Sequence, residues 1–399
     1  MAGRLEAAFE RALGPEYYRY DEIEVAVRDR RYRVASKMGL ASWPELDVAD
    51  LLLAETLEAG RAARIVSLGC GSGLAAAVAA QRAPEGQVYA LDTNYLATEA
   101  ARRTAEWNGA RVHVLLGEDV PVSAGGAVDA VLINLPKGRE AVQRRLQEAH
   151  RLLALGGRAY LAGANDAGIK GYSRLMGEMF GNLQVLAYRK GHRVVRASKV
   201  AVQQPAGLDW GGGAQPQSER LLHLPARGKT YTVVTEPGVF SWQGLDAGTA
   251  ALLETMEIRP GDTVLDLGCG YGIVGLVAAG LAAPGSVYLV DSDIRAVAAA
   301  RRTLAHNHVP NATVRVSDVI SAVQDLRFDV VVTNPPFHVG VATEFVTPLA
   351  FIAGSAHVLG PGGRLYLVAN RFLKYEPYME RLYKAIRTVH EDRQFRVLA

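Results

Sequence analysis

The sequence predicts two tandem α/β domains, each a mostly parallel sheet with helices on both faces. Three observations carry this: a length suited to two domains, an internal repeat, and short β-branched runs alternating with Ala/Leu-rich segments. At 399 residues the chain exceeds one typical domain. Strands that alternate with helices imply right-handed crossovers and parallel pairing.

The repeat is visible by self-comparison. Ile65-Val66-Ser67-Leu68-Gly69-Cys70-Gly71-Ser72-Gly73 answers Val264-Leu265-Asp266-Leu267-Gly268-Cys269-Gly270-Tyr271-Gly272, with Gly69 and Gly268 separated by 199 positions (268 − 69). Tyr89-Ala90-Leu91-Asp92 answers Tyr288-Leu289-Val290-Asp291, and Asn108 answers Asn307, at the same separation. Asn134 and Asn334 close a third matched run, and Gly157-Arg158-Ala159-Tyr160-Leu161 answers Gly363-Arg364-Leu365-Tyr366-Leu367. A nearly constant separation across these landmarks is a tandem duplication with small loop insertions. The expected boundaries are 1–202 for the first domain, 203–228 for a Gly/Pro-rich polar linker and 229–399 for the second domain.

In the second copy, the segment Tyr231–Thr235 leads in. Residues 263–267 form the first buried strand, a glycine loop follows, and 273–281 carry helical periodicity. Strand 286–290 ends at Asp291, helix 294–307 follows, and strands 313–316, 330–333 and 364–368 complete a Rossmann-like sheet.

The loop Asp266-Leu267-Gly268-Cys269-Gly270-Tyr271-Gly272 joins a buried strand to a helix N-terminus. Glycines there let a ligand approach the backbone, and the acid at Asp291 is placed to accept two ribose hydroxyls. Such a loop serves dinucleotides and S-adenosylmethionine alike. Two details favour the latter: the Gly-x-Gly-x-Gly spacing, and Asp266 ahead of the loop, suited to a cation. Ser292 adjoins Asp291. Asp318, with Val319 beside it, is placed either to receive an adenine amino group or to cap a helix.

Asn334-Pro335-Pro336-Phe337 follows strand 330–333 directly. Two prolines cannot continue a ladder, so the chain leaves the sheet at its carboxyl edge, where open α/β sheets bind ligands. The Asn334 side-chain oxygen and the Pro335 carbonyl can both accept from one –NH2 group, aiming its lone pair at a sulfonium methyl. Phe337 offers a ring for a flat base, and His338 could stack or bond beside it. The tetrapeptide alone fits adenine N6, guanine N2 and protein glutamine acceptors alike. In the first copy the acid before the loop is Ser67, and the tetrapeptide reads Asn134-Leu135-Pro136-Lys137. Lysine replaces the aromatic, and its charge repels a sulfonium. The first domain is therefore expected to be catalytically silent, although Gly69, Gly71, Gly73 and Asp92 persist.

With these residues in place, the second half resembles the bacterial small-subunit ribosomal RNA guanine-N2 methyltransferases of the RsmC type, class I enzymes built as a duplication with a degenerate first half. The resemblance rests on Pro237-Gly238-Val239-Phe240-Ser241, Gly244-Leu245-Asp246, the glycine loop, Asn334-Pro335-Pro336-Phe337-His338-Val339-Gly340 and Val368-Ala369-Asn370. It implies S-adenosylmethionine as cofactor, a guanine of 16S rRNA as acceptor, and N2-methylguanine as product. It also implies Phe240 near the cofactor and Gly340 within the substrate loop. Large-subunit relatives share the architecture. An adenine or glutamine methyltransferase and a non-catalytic RNA-binding assembly factor are the competing readings.

Lys+Arg 44 against Asp+Glu 41 gives a net charge of only +3, so an RNA surface must be local. Two runs qualify: Arg28 to Arg33, and Arg189 to Arg196, in which Arg193 and Arg196 are the candidate phosphate contacts. Two cysteines, Cys70 and Cys269, at equivalent loop positions make neither a disulfide framework nor a zinc site, and no metal is expected. No apolar stretch reaches bilayer length, so a cytoplasmic protein without membrane contact is expected. The duplication already supplies a pseudo-dimer, which favours a monomer; the expected partner is small-subunit rRNA or an assembling 30S subunit.

Overall fold

The computed structural model describes residues 2–40, 43–120, 127–200, 219–336 and 346–399. They divide into two units, Tyr20–Gln215 and a second made of Met1–Arg19 with Pro216–Ala399. Residues 1–19 thus belong to the second unit rather than to the first domain, as the boundary 1–202 had it. They begin with helix α1 (Ala2–Ala12), rich in the strong helix formers Ala, Leu, Glu and Arg, and end in a 3₁₀ turn, Pro15–Tyr18.

The first unit opens with a hairpin of β1 (Asp21–Val27) and β2 (Arg30–Ser36), then α2 (Val48–Thr56). Then β3 (Arg64–Leu68), α3 (Leu74–Arg82), β4 (Gln87–Asp92), α4 (Tyr95–Trp107), β5 (His113–Leu116), β6 (Val128–Asn134), α5 (Arg139–Leu152) and β7 (Leu153–Ala164) alternate as the periodicity predicts. α6 (Ile169–Phe180) leads to an antiparallel pair, β8 (Gln184–Arg189) and β9 (His192–Ser198). The sheet order is β5-β4-β3-β6-β7-β9-β8.

The second unit repeats this. A hairpin of β10 (Arg220–Ala226) and β11 (Lys229–Thr235) precedes α7 (Ala247–Thr255). β12 (Val264–Leu267), α8 (Ile273–Ala282), β13 (Val287–Asp291), α9 (Ile294–His306), β14 (Ala312–Val316), β15 (Phe328–Thr333), α10 (Val346–Val358) and β16 (Leu359–Asn370) follow. A short α11 (Glu376–Met379), β17 (Thr388–Glu391) and β18 (Phe395–Leu398) close the chain, in the order β14-β13-β12-β15-β16-β18-β17. β12 to β16 pair in parallel, and β18 is antiparallel to both β16 and β17. Winding runs outward in both directions from β12 and β15, so the crevice between their carboxyl ends is the switch point where such sheets take ligands.

All five strands and both helices read from the second copy are present, with ends shifted by at most a few residues. The antiparallel pairs had no such signature. Continuous apolar burial in β12 (Val264, Leu265, Leu267) and β15 (Val330, Val331, Val332) explains why the parallel core was legible. The core face under α8 and α9 is filled by Val274, Val277, Ala278, Val297, Ala300 and Leu304. Among the described residues no helix is long and apolar enough to cross a membrane.

Candidate active site

The glycine loop is a backbone device. Gly268 and Cys269 both donate to the Val290 carbonyl, at 2.9 and 3.0 Å, which ties the loop to the end of β13. Gly270 N–H donates to Asp291 Oδ2 at 3.0 Å. Its φ is +53, and no described atom lies within 4 Å of where a Cβ would stand, so its open side faces space a ligand can use. Gly272, at φ +86, is different: a Cβ there would meet that of Ala300 at 2.9 Å, so this glycine serves the packing of α8 on α9. Cys269 is buried, its thiol pushed up by burial and then by Asp291 and Asp266; it contributes backbone rather than a reactive sulfur.

Asp266 lies under the loop, 2% exposed, and its Oδ2 accepts from Gly275 N–H at 2.8 Å. It therefore also anchors the first turn of α8, a role the cation argument did not anticipate. Asp291 is half-buried at the strand end, with Oδ1 accepting from Asp293 N–H. Burial pushes the Asp266 carboxyl up to about 7 and that of Asp291 up to about 6. Both values lie above the ordinary carboxylate range near ~4. The ligand-free fold therefore gains stability as pH falls through about 7 to 4, and loses it as pH rises through these values. A cationic ligand whose ribose donates to Asp291 pulls the other way. Its Kd is expected to rise by up to about tenfold per pH unit below about 6. Calorimetric titrations across pH check this, and Asp291→Asn should flatten the dependence.

Asp318 is buried, and its Oδ1 accepts from Tyr17 Oη–H at 2.9 Å. Its N–H donates to Ser321 Oγ at 3.0 Å. The next residue, Val319, has φ +50, a costly conformation for a β-branched side chain, held by Ser317 Oγ–H donating to its carbonyl at 2.8 Å. Strain concentrated beside the loop expected to meet a cofactor is characteristic of built sites. Ser292 occupies the turn between β13 and α9.

Asn334 stands at the carboxyl end of β15. Its Nδ2 donates to Thr249 Oγ1 at 2.8 Å and to Asp246 Oδ2 at 3.1 Å. Asp246 is the N-cap of α7, its Oδ2 also accepting from Thr249 N–H at 2.9 Å. With both amide protons engaged, Oδ1 meets no donor among the described residues and is presented as an acceptor. Tyr271 Oη–H donates to the Gly244 carbonyl at 3.3 Å, fastening the segment that carries Phe240 to the glycine loop. The Phe240 ring is 61% exposed. Pro335 is buried and Pro336 exposed. Phe337, His338 and Gly340 lie outside the described residues. Sequence reasoning quoted Asp246 within a motif but gave it no role, and it missed Thr249 and Tyr17. The recurring Asp at a helix start, Asp47 in the first copy, was the one available signal.

The first unit keeps the loop and loses its surroundings. Gly69, Gly71 and Gly73 have φ of 71, 53 and 81 against 79, 53 and 86 for Gly268, Gly270 and Gly272. Gly71 N–H donates to Asp92 Oδ2 at 3.1 Å. Asn134 also reaches a helix side chain, Asp50, but its Nδ2 meets the Gly69 carbonyl at 3.4 Å as well, and its Oδ1 is buried without a described partner. Asp50 stands where the second copy has Thr249 and accepts from Ser72 Oγ–H at 3.0 Å. Glu118, the counterpart of Asp318, is paired with Arg144 at 2.9 Å and approached by Arg145 at 3.9 Å.

A family model for the methyltransferase small domain matches this chain twice, over residues 31–196 and 230–399. The ribosomal RNA small subunit methyltransferase C of Pseudomonas aeruginosa (strain UCBPP-PA14) is 35% identical over 278 residues, 68% of this chain and 79% of that protein. The chain belongs to the methyltransferase small domain family, in its ribosomal RNA small subunit methyltransferase C group. The group's protein from Aeromonas hydrophila is 36% identical over 279 residues, 68% of this chain and 78% of its own length. A solved member, the T. thermophilus 16S rRNA N2 G1207 methyltransferase in complex with AdoMet and guanosine, superposes with a TM-score of 0.79. It shares 31% identity and covers 96% of this chain and 97% of its own. Methyltransferase architecture in both units follows from membership, and the contrast between Asn334 and Asn134 shows how the copies have diverged.

Proposed function

We propose that the second unit transfers the methyl group of S-adenosylmethionine to the exocyclic N2 amine of a guanine in 16S rRNA. The observation that carries this reading is Asn334 at the sheet's switch point, whose amide protons are held by Asp246 and Thr249 while Oδ1 meets no donor among the described residues. The described residues fit the cofactor: the open side of Gly270, the Asp291 carboxylate for ribose, Asp318 for the adenine amine. When bound, the cofactor supplies an electrophilic methyl on a sulfonium. Asn334 Oδ1 and the Pro335 carbonyl accept hydrogen bonds from the two amine N–H groups, which orients the nitrogen lone pair and stabilises the charge that develops on it; the methylated nitrogen then loses one proton to solvent. No strong base is needed before transfer, because the leaving group is a neutral thioether. Phe337, His338 and Gly340 are assigned to the base, and Phe240 to the mouth of the site.

The choice of guanine N2 in small-subunit rRNA rests on the relatives, since the tetrapeptide itself also suits adenine and glutamine. A guanine in a helix must leave its pair to present N2, which favours an assembling 30S subunit over a finished one. A monomer acting in the cytoplasm suits this substrate. Methyl transfer from labelled cofactor into naked 16S rRNA, small subunits and large subunits, followed by mapping of the base, tests the reading. Label in large-subunit rRNA, or on adenine, sinks it.

The first unit is proposed to be silent, with its adenine side closed by Glu118, Arg144 and Arg145. Calorimetry of the full chain should return one cofactor per chain, and Asp291→Ala should abolish binding rather than halve it. A stoichiometry of two would reopen the first unit.

A further inference from the structure

The basic run from Arg189 to Arg196 divides between the two faces of the β8–β9 pair. Arg189 pairs with Glu55 and Arg196 with Glu58, the latter at 2.7 Å, with Arg158 on the same carboxylate at 3.2 Å. These cations are neutralised at the end of α2. In the other run Arg31 faces Glu24 at 3.6 Å and Arg33 faces Glu22 at 3.5 Å, while Arg28 donates to the Glu55 and Leu57 carbonyls and Arg30 to Gln81 Oε1 at 2.7 Å, beside the buried ring of Tyr32.

Arg193 is different. It lies opposite Tyr188 in the strand register, its guanidinium 5.7 Å from that ring's centroid. Its Nε–H donates to Asn165 Oδ1 at 3.1 Å, and Asn165 Nδ2–H donates to Tyr188 Oη at 3.4 Å. Asn165 N–H is itself tied to the Gly191 carbonyl at 2.9 Å, so the triad sits on a braced hairpin rather than a loose loop. Among the described residues neither Arg193 nor Lys190, at the hairpin tip, has a carboxylate partner. The Tyr188 ring is 62% exposed. A tyrosine held open at a sheet edge, with an oriented and uncompensated guanidinium and a lysine beside it, matches a stacked base flanked by phosphate.

We propose that the β8–β9 hairpin of the first unit is an RNA platform, on which an unpaired base stacks on Tyr188 while Arg193 and Lys190 take the neighbouring phosphates. This rests on the rRNA reading above, gives the silent unit a substrate-holding task, and removes Arg196 from the contact set. The test uses the full chain with naked 16S rRNA. Tyr188→Ala should raise KM for RNA roughly tenfold with kcat unchanged, and Tyr188→Phe should stay near wild type because the ring is kept. Arg193→Ala should raise KM and reduce the salt slope of binding by about one, whereas Arg196→Ala should leave that slope unchanged. Melting of each variant separates binding loss from unfolding. Anisotropy with a labelled hairpin-loop RNA and a fully paired duplex, read without turnover, should show the Tyr188→Ala loss on the loop only.

Wild-type KM and loop affinity in folded Tyr188→Ala and Arg193→Ala would overturn the platform while leaving the methylation reading intact. A wild-type chain that methylates no rRNA defeats that reading instead, and the anisotropy arm still judges the platform.

Discussion

Asn334→Ala is expected to lower kcat by about 10²–10³-fold, with cofactor affinity within a few-fold of wild type, since it removes an acceptor oriented for the developing ammonium. Single-turnover methyl transfer and calorimetric cofactor binding, read side by side, check both halves. The neighbours sharpen the expectation. Asp246 and Thr249 hold Asn334 Nδ2 at 3.1 and 2.8 Å, which leaves Oδ1 as the acceptor. Asn334→Asp keeps an oxygen there but sets a second carboxylate against Asp246, so it should fail nearly as badly. Asp246→Ala keeps the asparagine and frees its amide to rotate; a loss of about tenfold in kcat is expected, with the RNA KM unchanged. If Asn334→Ala turns over within about threefold of wild type, the acceptor role assigned to this residue is wrong.

Phe9→Ala should destabilise the second unit by about 3–5 kcal/mol, the usual cost of emptying a buried aromatic site. The ring is fully buried, 4.9 Å from that of Tyr378, with the Arg381 guanidinium 4.8 Å above it. Arg381 also reaches Glu6 at 2.6 Å and Glu10, so α1 is fastened by apolar and charged contacts together. In calorimetry the transition of the second unit should fall by roughly 6–15 °C while that of the first stays in place. Because the same segment delivers Tyr17 to Asp318, the cofactor should also bind less tightly. A chain lacking residues 1–19 should behave still worse, although every motif of the second copy is present in it. A shift of the second transition by less than about 2 °C would falsify the structural role of α1.

The repeat, the parallel strands and the helices between them were legible because each is a local pattern: apolar runs bounded by turn residues, and a glycine loop recurring after 199 positions (268 − 69). The hairpins and antiparallel edge strands lie outside the runs that the repeat marks, although β1 and β10 alternate more and less buried residues along the strand. Tight turns such as Lys190-Gly191, at φ +47 and +77, were the remaining cue.

For the site, the sequence by itself named the candidates for the chemistry: the loop, Asp291, and the tetrapeptide that two prolines set at a strand's carboxyl end. It also showed which copy had lost its aromatic. Only the tertiary structure decided how those groups are held. Nothing local to Asn334 announces Asp246 and Thr249, and nothing near Asp318 announces a tyrosine 301 positions earlier. A basic run without acids does not say that Arg196 meets Glu58 while Arg193, among the described residues, meets Asn165 and Tyr188. The reason is physical. Periodicity records which face of an element is buried, whereas the partner of a polar side chain is fixed by whichever distant backbone or side chain the fold brings within about 3 Å of it.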